Sequence, residues 1–281
     1  MTTRAFFVSP PPAWWRNQRT TVRAGGGELF QQTAGIEIES AARRLEGATP
    51  LETLRWAAER FAPRLAFATG FGPEGCVLID LIGRHRLPID VFTLDTGLLF
   101  AETRELWRRL EARYGMVIRA VRPDLTVSEQ AQVHGERLWA RDPDRCCALS
   151  KVAPLRVALE GHQAWIAAIR RDQTAERAAA AVVERDPSSG LVKVGPLVAW
   201  SSAEVWSYLR EHSVPTNPLH ALGYPSVGCW PCTSPVAPGE GARAGRWRGQ
   251  TKTECGLHLR PTNAGLTQIT SNRSALAPSA P

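Results

Sequence analysis

"RLAFATGFGPEGCVLIDLIGRH", residues 64–85, decides the fold. Its first third reads as a short buried strand that ends in a glycine turn. "EGCVLIDLIGRH" then reads as a helix. The same alternation recurs downstream. "IDVFTLDTG" (89–97) is a strand and turn, "FAETRELWRRLEARYG" (100–115) a long helix and "MVIRAV" (116–121) a third strand. "AWIAAI" (164–169), "AAVVER" (180–185) and "LVKVGPL" (191–197) are further strand candidates, and "SSAEVWSYLREHS" (201–213) is a helix opened by serine. Upstream, Thr49 with Glu52 forms a capping box around Pro50 for a helix that runs to about Phe61. Strand and helix in alternation imply an α/β fold, a mainly parallel sheet with helices on both faces. Ligands in such folds sit beyond the carboxyl ends of the strands, where the glycine turns at 70–75 and 97 both fall.

The chain has 281 residues, 43% hydrophobic and 22% charged, which is ordinary globular composition. No run of eighteen apolar residues suggests a membrane span. The start, "MTTRAFFVSPPPAWW", lacks the apolar run and cleavage site of a signal peptide, so the expectation is a cytoplasmic protein in a reducing compartment. A net charge of +7 suits an anionic small substrate, an acidic partner or nucleic acid. The arginines are spread over many helices without a compact basic and aromatic run, which argues against a nucleic-acid face. Four regions are expected: a mobile arm over 1–35, an α/β domain over 36–235, a C-terminal segment over 236–262 and a disordered tail over 263–281.

A core of this size needs no disulfides, so six cysteines ask for a chemical reason. Cys146 and Cys147 stand side by side in "RDPDRCCALSKVAPL" (141–155), and Cys229 and Cys232 form "GCWPC" (228–232). The C-x-x-C alone reads as a redox pair, half of a metal site or a chance pairing. The four together can hold a structural zinc or an iron–sulfur cluster. Cys255, in "KTECGLH" (252–258), has Lys252 and His258 three residues to either side and Arg243 and Arg246 upstream. Positive charge favours a reactive thiolate, while Glu254 works against it. Cys76 reads as a helix-core residue. The turn "ATGFGPEG" (68–75) offers backbone N–H groups at Thr69, Gly70, Phe71 and Gly72 to a phosphate. Arg170 and Arg171, in "AIRRDQT" (168–174), could fork onto phosphate or sulfate oxygens.

The set "RCCALSKVAPL", "WIAAIRRDQT", "GCWPC" and "GRWRGQTKTECGLH", with "LDTG" in support, closely resembles the assimilatory adenylyl-sulfate (APS) reductases of the APS/PAPS reductase family over about residues 50–260. The resemblance implies an adenine nucleotide alpha hydrolase-like fold. It implies a 4Fe–4S cluster on Cys146, Cys147, Cys229 and Cys232, and Cys255 as the nucleophile that attacks the sulfate sulfur of adenylyl sulfate. Thioredoxin, or a glutaredoxin-like reductant, would then release sulfite from the S-sulfocysteine. Lys151 would face both cluster and sulfate, Arg243 and Arg246 match the family's "RxGRW" arginines, and Arg170 or Arg171 would hold the phosphosulfate. His258 would orient the segment. The loop departs from the relatives' Ser-Phe-Gly-Ala-Glu-Asp: here it reads Gly70, Phe71, Gly72, Pro73, Glu74, Gly75. The alternatives are the same thiol chemistry on the 3′-phosphorylated substrate, PAPS, or an ATP pyrophosphatase-type thiolation enzyme. The latter would want a Ser-Gly-Gly-x-Asp-Ser loop that residues 69–75 lack. A non-catalytic zinc scaffold would leave Cys255 and its basic setting unexplained. Oligomeric state is open, with a homo-oligomer among the options.

Overall fold

Six strands form one sheet in the computed structural model, which describes residues 37–257. They are β1 (Leu65–Thr69), β2 (Asp90–Leu94), β3 (Arg119–Val121), β4 (Ala164–Ala167), β5 (Val183–Arg185) and β6 (Val192–Val194), in the order β3-β2-β1-β4-β6-β5. All neighbours run parallel except β5, which returns antiparallel along β6 at the edge. The expected parallel sheet is therefore present with one antiparallel edge strand. "AAVVER" and "LVKVGPL" read as separate strands, and three-residue ladders carry no sequence signal for their relative direction. The arm expected over 1–35, the tail over 263–281 and His258 lie outside the described residues.

Local chemistry explains the helices that matter. A helix over residues 37–45 (α1) precedes α2 (Pro50–Phe61), whose Thr49 and Glu52 form the expected capping box. α3 (Pro73–Arg84) follows β1 directly, with Pro73 at its first position, and α4 (Ala101–Tyr114) follows β2. Between β3 and β4 run α5 (Val127–His134), α6 (Leu138–Arg141), α7 (Pro143–Cys147) and α8 (Ala153–Ala158). α5 and α9 (Ser202–Glu211) also start at capping boxes, Thr126 with Glu129 and Ser201 with Glu204, and α9 packs on α3. Each such box satisfies helix-end donors and is worth about 1 kcal/mol. Connections between parallel strands run right-handed as a rule, which assigns α3 and α4 to one face of the sheet and the α5–α8 excursion to the other.

The core is the two-sided burial of β1 and β4, with Leu65, Phe67, Ala164, Trp165 and Ile166 nearly inaccessible. Among the described residues, no helix is long and apolar enough to cross a membrane.

Candidate active site

β1 feeds leftward to β2 and β3, while β4 lies on its other side, so the chain changes direction between β1 and β4. That is where a parallel sheet opens a crevice at its carboxyl end. A cavity of about 410 Å³ occupies it. Thr69, Gly70 and Gly72 line it, whereas Phe71 does not. Phe71 adopts φ +58°, is buried and stacks on Trp107 with ring centroids 5.7 Å apart. Its N–H donates to Thr69 Oγ1 at 3.1 Å, which closes the turn. Gly75 is needed here because a Cβ would stand 2.8 Å from that hydroxyl. Gly72 caps α3 without a side-chain bond, so the first-turn N–H groups remain open to an anion.

The two adjacent arginines separate. Arg170 lines the cavity, but its Nε donates to Glu74 Oε1 at 2.8 Å and its Nη1 pairs with Asp172. Arg171 turns away from the cavity and forks onto Glu46 at 2.6 and 2.9 Å, with its Nε on the Ala180 carbonyl. Arg243 and Arg246 both line the cavity. Arg243 Nη2 donates to Thr253 O at 2.8 Å, while Arg246 Nη1 donates to Ser226 Oγ at 3.2 Å and its guanidinium lies 4.6 Å from the centre of the Trp247 ring. A fourth cavity arginine, Arg177, escaped the sequence reading. It ends a single 3-10 turn (Ala175–Arg177), which has no periodicity to flag it. Arg177, Arg243 and Arg246 each bury an Nε without a hydrogen-bond partner. Unpaired buried donors cost about 1–3 kcal/mol each, so the wall suits an acceptor-rich, anionic ligand.

The thiols come from two neighbouring segments. Asp142 caps α7 by accepting from Arg145 N at 2.9 Å, and Pro143 starts it. After Cys147 the helix widens into a π turn (Ala148–Val152) before α8, so Lys151 is not one regular α-turn beyond the pair as the sequence suggests. α6 packs against the 230–232 turn, with Trp139 and Trp230 rings 6.2 Å apart. Cys229 Sγ lies 3.3 Å from Thr96 Oγ1, and Cys232 O accepts from Trp247 N at 3.0 Å. All six cysteines are free. Burial pushes the Cys147 thiol up to about 12, against the pull of Lys151 and Lys252. Burial likewise raises Cys146 and Cys232, and the nearby Cys229 adds to both. For Lys151, burial works downward, but the neighbouring sulfurs of Cys229, Cys255 and Cys147 outweigh it and the ammonium's pKa is raised. Among the described residues, no group of three or more Cys, His, Asp or Glu is arranged to grip a metal ion. Cys76 is fully buried, with its thiol pushed up to about 12 by burial, as a core residue should be.

Cys255 is half-buried and lines the cavity together with Lys151 and Cys229. Gly256 follows it at φ +89°, a left-handed position that favours glycine. Lys252 does not turn toward Cys255 as the sequence suggests. It pairs with Asp144 on α7 and lies 5.5 Å from the centre of the Trp247 ring.

A thiol and four arginines line the crevice at the carboxyl end of a mainly parallel sheet, which defines the class: an α/β protein with a cavity suited to a small anion. Residues 64–235 match the family described as the phosphoadenosine phosphosulfate reductase domain. Adenosine 5′-phosphosulfate reductase 1 of Bacillus subtilis (strain 168) is 48% identical over 209 residues, covering 74% of this chain and 90% of that protein. The adenosine 5′-phosphosulfate reductase of Halalkalibacterium halodurans is 43% identical over 230 residues, covering 82% of this chain and all of that one. A solved structure, phosphoadenylyl-sulfate (PAPS) reductase from Candida auris in a phosphate complex, matches with TM-score 0.63 and 35% identity, covering 71% of this chain and 96% of that one. The chain belongs to the phosphoadenosine phosphosulfate reductase family.

Proposed function

We propose that the protein reduces adenylyl sulfate to sulfite and AMP, with thioredoxin or a glutaredoxin-like dithiol as reductant, through an S-sulfocysteine on Cys255. The supporting observation is that Cys255, Lys151, Arg177, Arg243 and Arg246 line one cavity at the carboxyl ends of β1 and β4. The Cys255 thiolate attacks the sulfate sulfur, the bond from sulfur to the bridging phosphate oxygen breaks, and AMP leaves with that electron pair. Lys151 and the arginines hold the charge on the departing phosphate and on the sulfonate. One thiol of the reductant then attacks Cys255 Sγ, and sulfite leaves with the sulfur–sulfur electron pair. The second thiol resolves the mixed disulfide and returns Cys255 as a thiol, so the reductant supplies both electrons.

Cys146, Cys147, Cys229 and Cys232 fit a 4Fe–4S cluster by donor chemistry, since all four are free thiols from two segments in contact. When bound there, such a cluster would supply fixed negative charge beside Lys151. Lys151 can then hold the substrate sulfate from its other side.

Mass spectrometry tests the reading. Mixed with adenylyl sulfate but no reductant, the protein should gain about 80 Da, one SO₃, on the peptide containing Cys255. Cys255→Ser should bind the nucleotide and release no sulfite. An adduct on Cys76, or normal turnover by Cys255→Ser, sinks the assignment.

A further inference from the structure

α5 fully buries one residue, and it is polar: Gln130, at 6% exposure. A buried side-chain amide is costly unless its donors find acceptors. Gln130 Nε2 donates to Ser150 Oγ at 3.0 Å and reaches the Leu125 carbonyl at 3.5 Å. Ser150 is buried too, at 3%, and sits in the π turn that follows the cysteine pair. An amide nitrogen donates and does not accept, so the serine oxygen is the acceptor and its own proton points elsewhere. That hydroxyl bonds the Cys146 sulfur four residues back along the helix. Amide, hydroxyl and sulfur therefore form one directed chain from α5 to Cys146, with each proton aimed toward the sulfur. A metal-bound cysteine sulfur has lost its own proton and can only accept, which is the role this chain suits.

We propose that Gln130 and Ser150 are positioning residues for Cys146 as a cluster ligand: their relay fixes its sulfur and draws negative charge from it. The inference rests on the reading of Cys146, Cys147, Cys229 and Cys232 as holders of a 4Fe–4S cluster. Outer partners of this kind orient a ligand and tune its bond to the metal. A hydrogen bond takes electron density from the sulfur and so weakens its bond to iron. Loss of the hydroxyl should strengthen that bond. Gln130 matters at one remove, because it keeps the serine oxygen occupied as an acceptor and so turns the proton toward Cys146.

Resonance Raman spectroscopy of the full-length, iron-loaded protein, purified without oxygen, reads this bond without reference to activity. Ser150→Ala should move an iron–cysteine sulfur stretching band to higher frequency. Ser150→Thr, which keeps the hydroxyl, should hold the wild-type band. Gln130→Leu lets the serine proton turn away and should shift the same band in the same direction, by less. Combined with Ser150→Ala, it should add nothing, because the chain is already cut. Unchanged bands in Ser150→Ala overturn the relay and leave the cluster standing. A threonine variant that behaves like alanine overturns it too. So does a Gln130→Leu shift of full size in the Ser150→Ala background, since the two residues would then act separately. If Ser150→Ala holds no cluster, Gln130→Leu decides: a shifted band supports the relay and an unshifted one overturns it. Wild-type protein without iron and sulfide ends the cluster reading, and the relay with it.

Discussion

Two glycines separate binding from folding at the scale of single residues. A Cβ on Gly228 would run into the guanidinium of Arg246, whereas one on Gly245 would strike the backbone carbonyl of Ser234. The first obstacle is the far end of a flexible side chain and can swing aside, but the second cannot. Gly228→Ala is therefore expected to hold its melting temperature, with stability changed by less than about 1 kcal/mol. Its KM for adenylyl sulfate should rise on the order of tenfold, because one charge-assisted contact is misplaced. Gly245→Ala should instead lower the melting temperature. An unchanged KM in a well-folded Gly228→Ala would remove Arg246 from the substrate's contacts. Single residues are also where sequence reading met its limit. Arg243, Arg246, Lys151 and Cys255 were legible because motifs carry them. Lys252 and Glu254 were misjudged because distance along the chain stood in for distance in space: Lys252 serves Asp144, and Glu254 is compensated by Arg177 and Arg243. Arg170 and Arg171 are adjacent in sequence, yet one faces the cavity and the other clasps Glu46.

The capping box of α2 and the serine that opens α9 were readable as elements because such caps join side chains to backbone partners three residues apart. The π turn after Cys147 was not, since nothing in "ALSKV" distinguishes it from ordinary helix. That turn joins the paired thiols to Lys151, so α7 and its continuation act as one unit. Two outcomes follow for it. Replacing Cys147 by serine should remove iron, sulfide and the broad visible absorbance from protein purified without oxygen, together with its activity; a fully active, iron-free Cys147→Ser protein would end the cluster assignment. Asp142→Ala deletes the cap on Arg145 N and should cost about 1 kcal/mol. Asp142 is no proposed ligand, so this variant should keep its iron when freshly purified and lose it faster to a chelator. Iron loss at the wild-type rate would mean that the cap does not steady the cysteine pair.

For the whole molecule, the net charge of +7 stands beside local pairing among the described residues, Arg119 with Asp90, Arg122 with Asp95 and Arg248 with Glu240. The cavity follows the same economy of charge. Arg170 is held by Glu74 and Asp172, which themselves line the cavity, and Arg177 and Arg243 share Glu254. Lys151 and Arg246 face the cavity with no carboxylate paired to them among the described residues. These two cations without a carboxylate partner match a phosphate and a sulfate group joined in one anhydride. A 3′-phosphate would add charge without a further cation of this set to receive it. The catalytic efficiency should therefore favour adenylyl sulfate over PAPS on the order of tenfold or more, about 1.4 kcal/mol. The preference should shrink as salt screens the extra charge. Steady-state rates with both nucleotides, at low and high ionic strength, check both parts. Equal efficiencies, or a preference for PAPS, would mean that a cation beyond this inner set receives the extra phosphate.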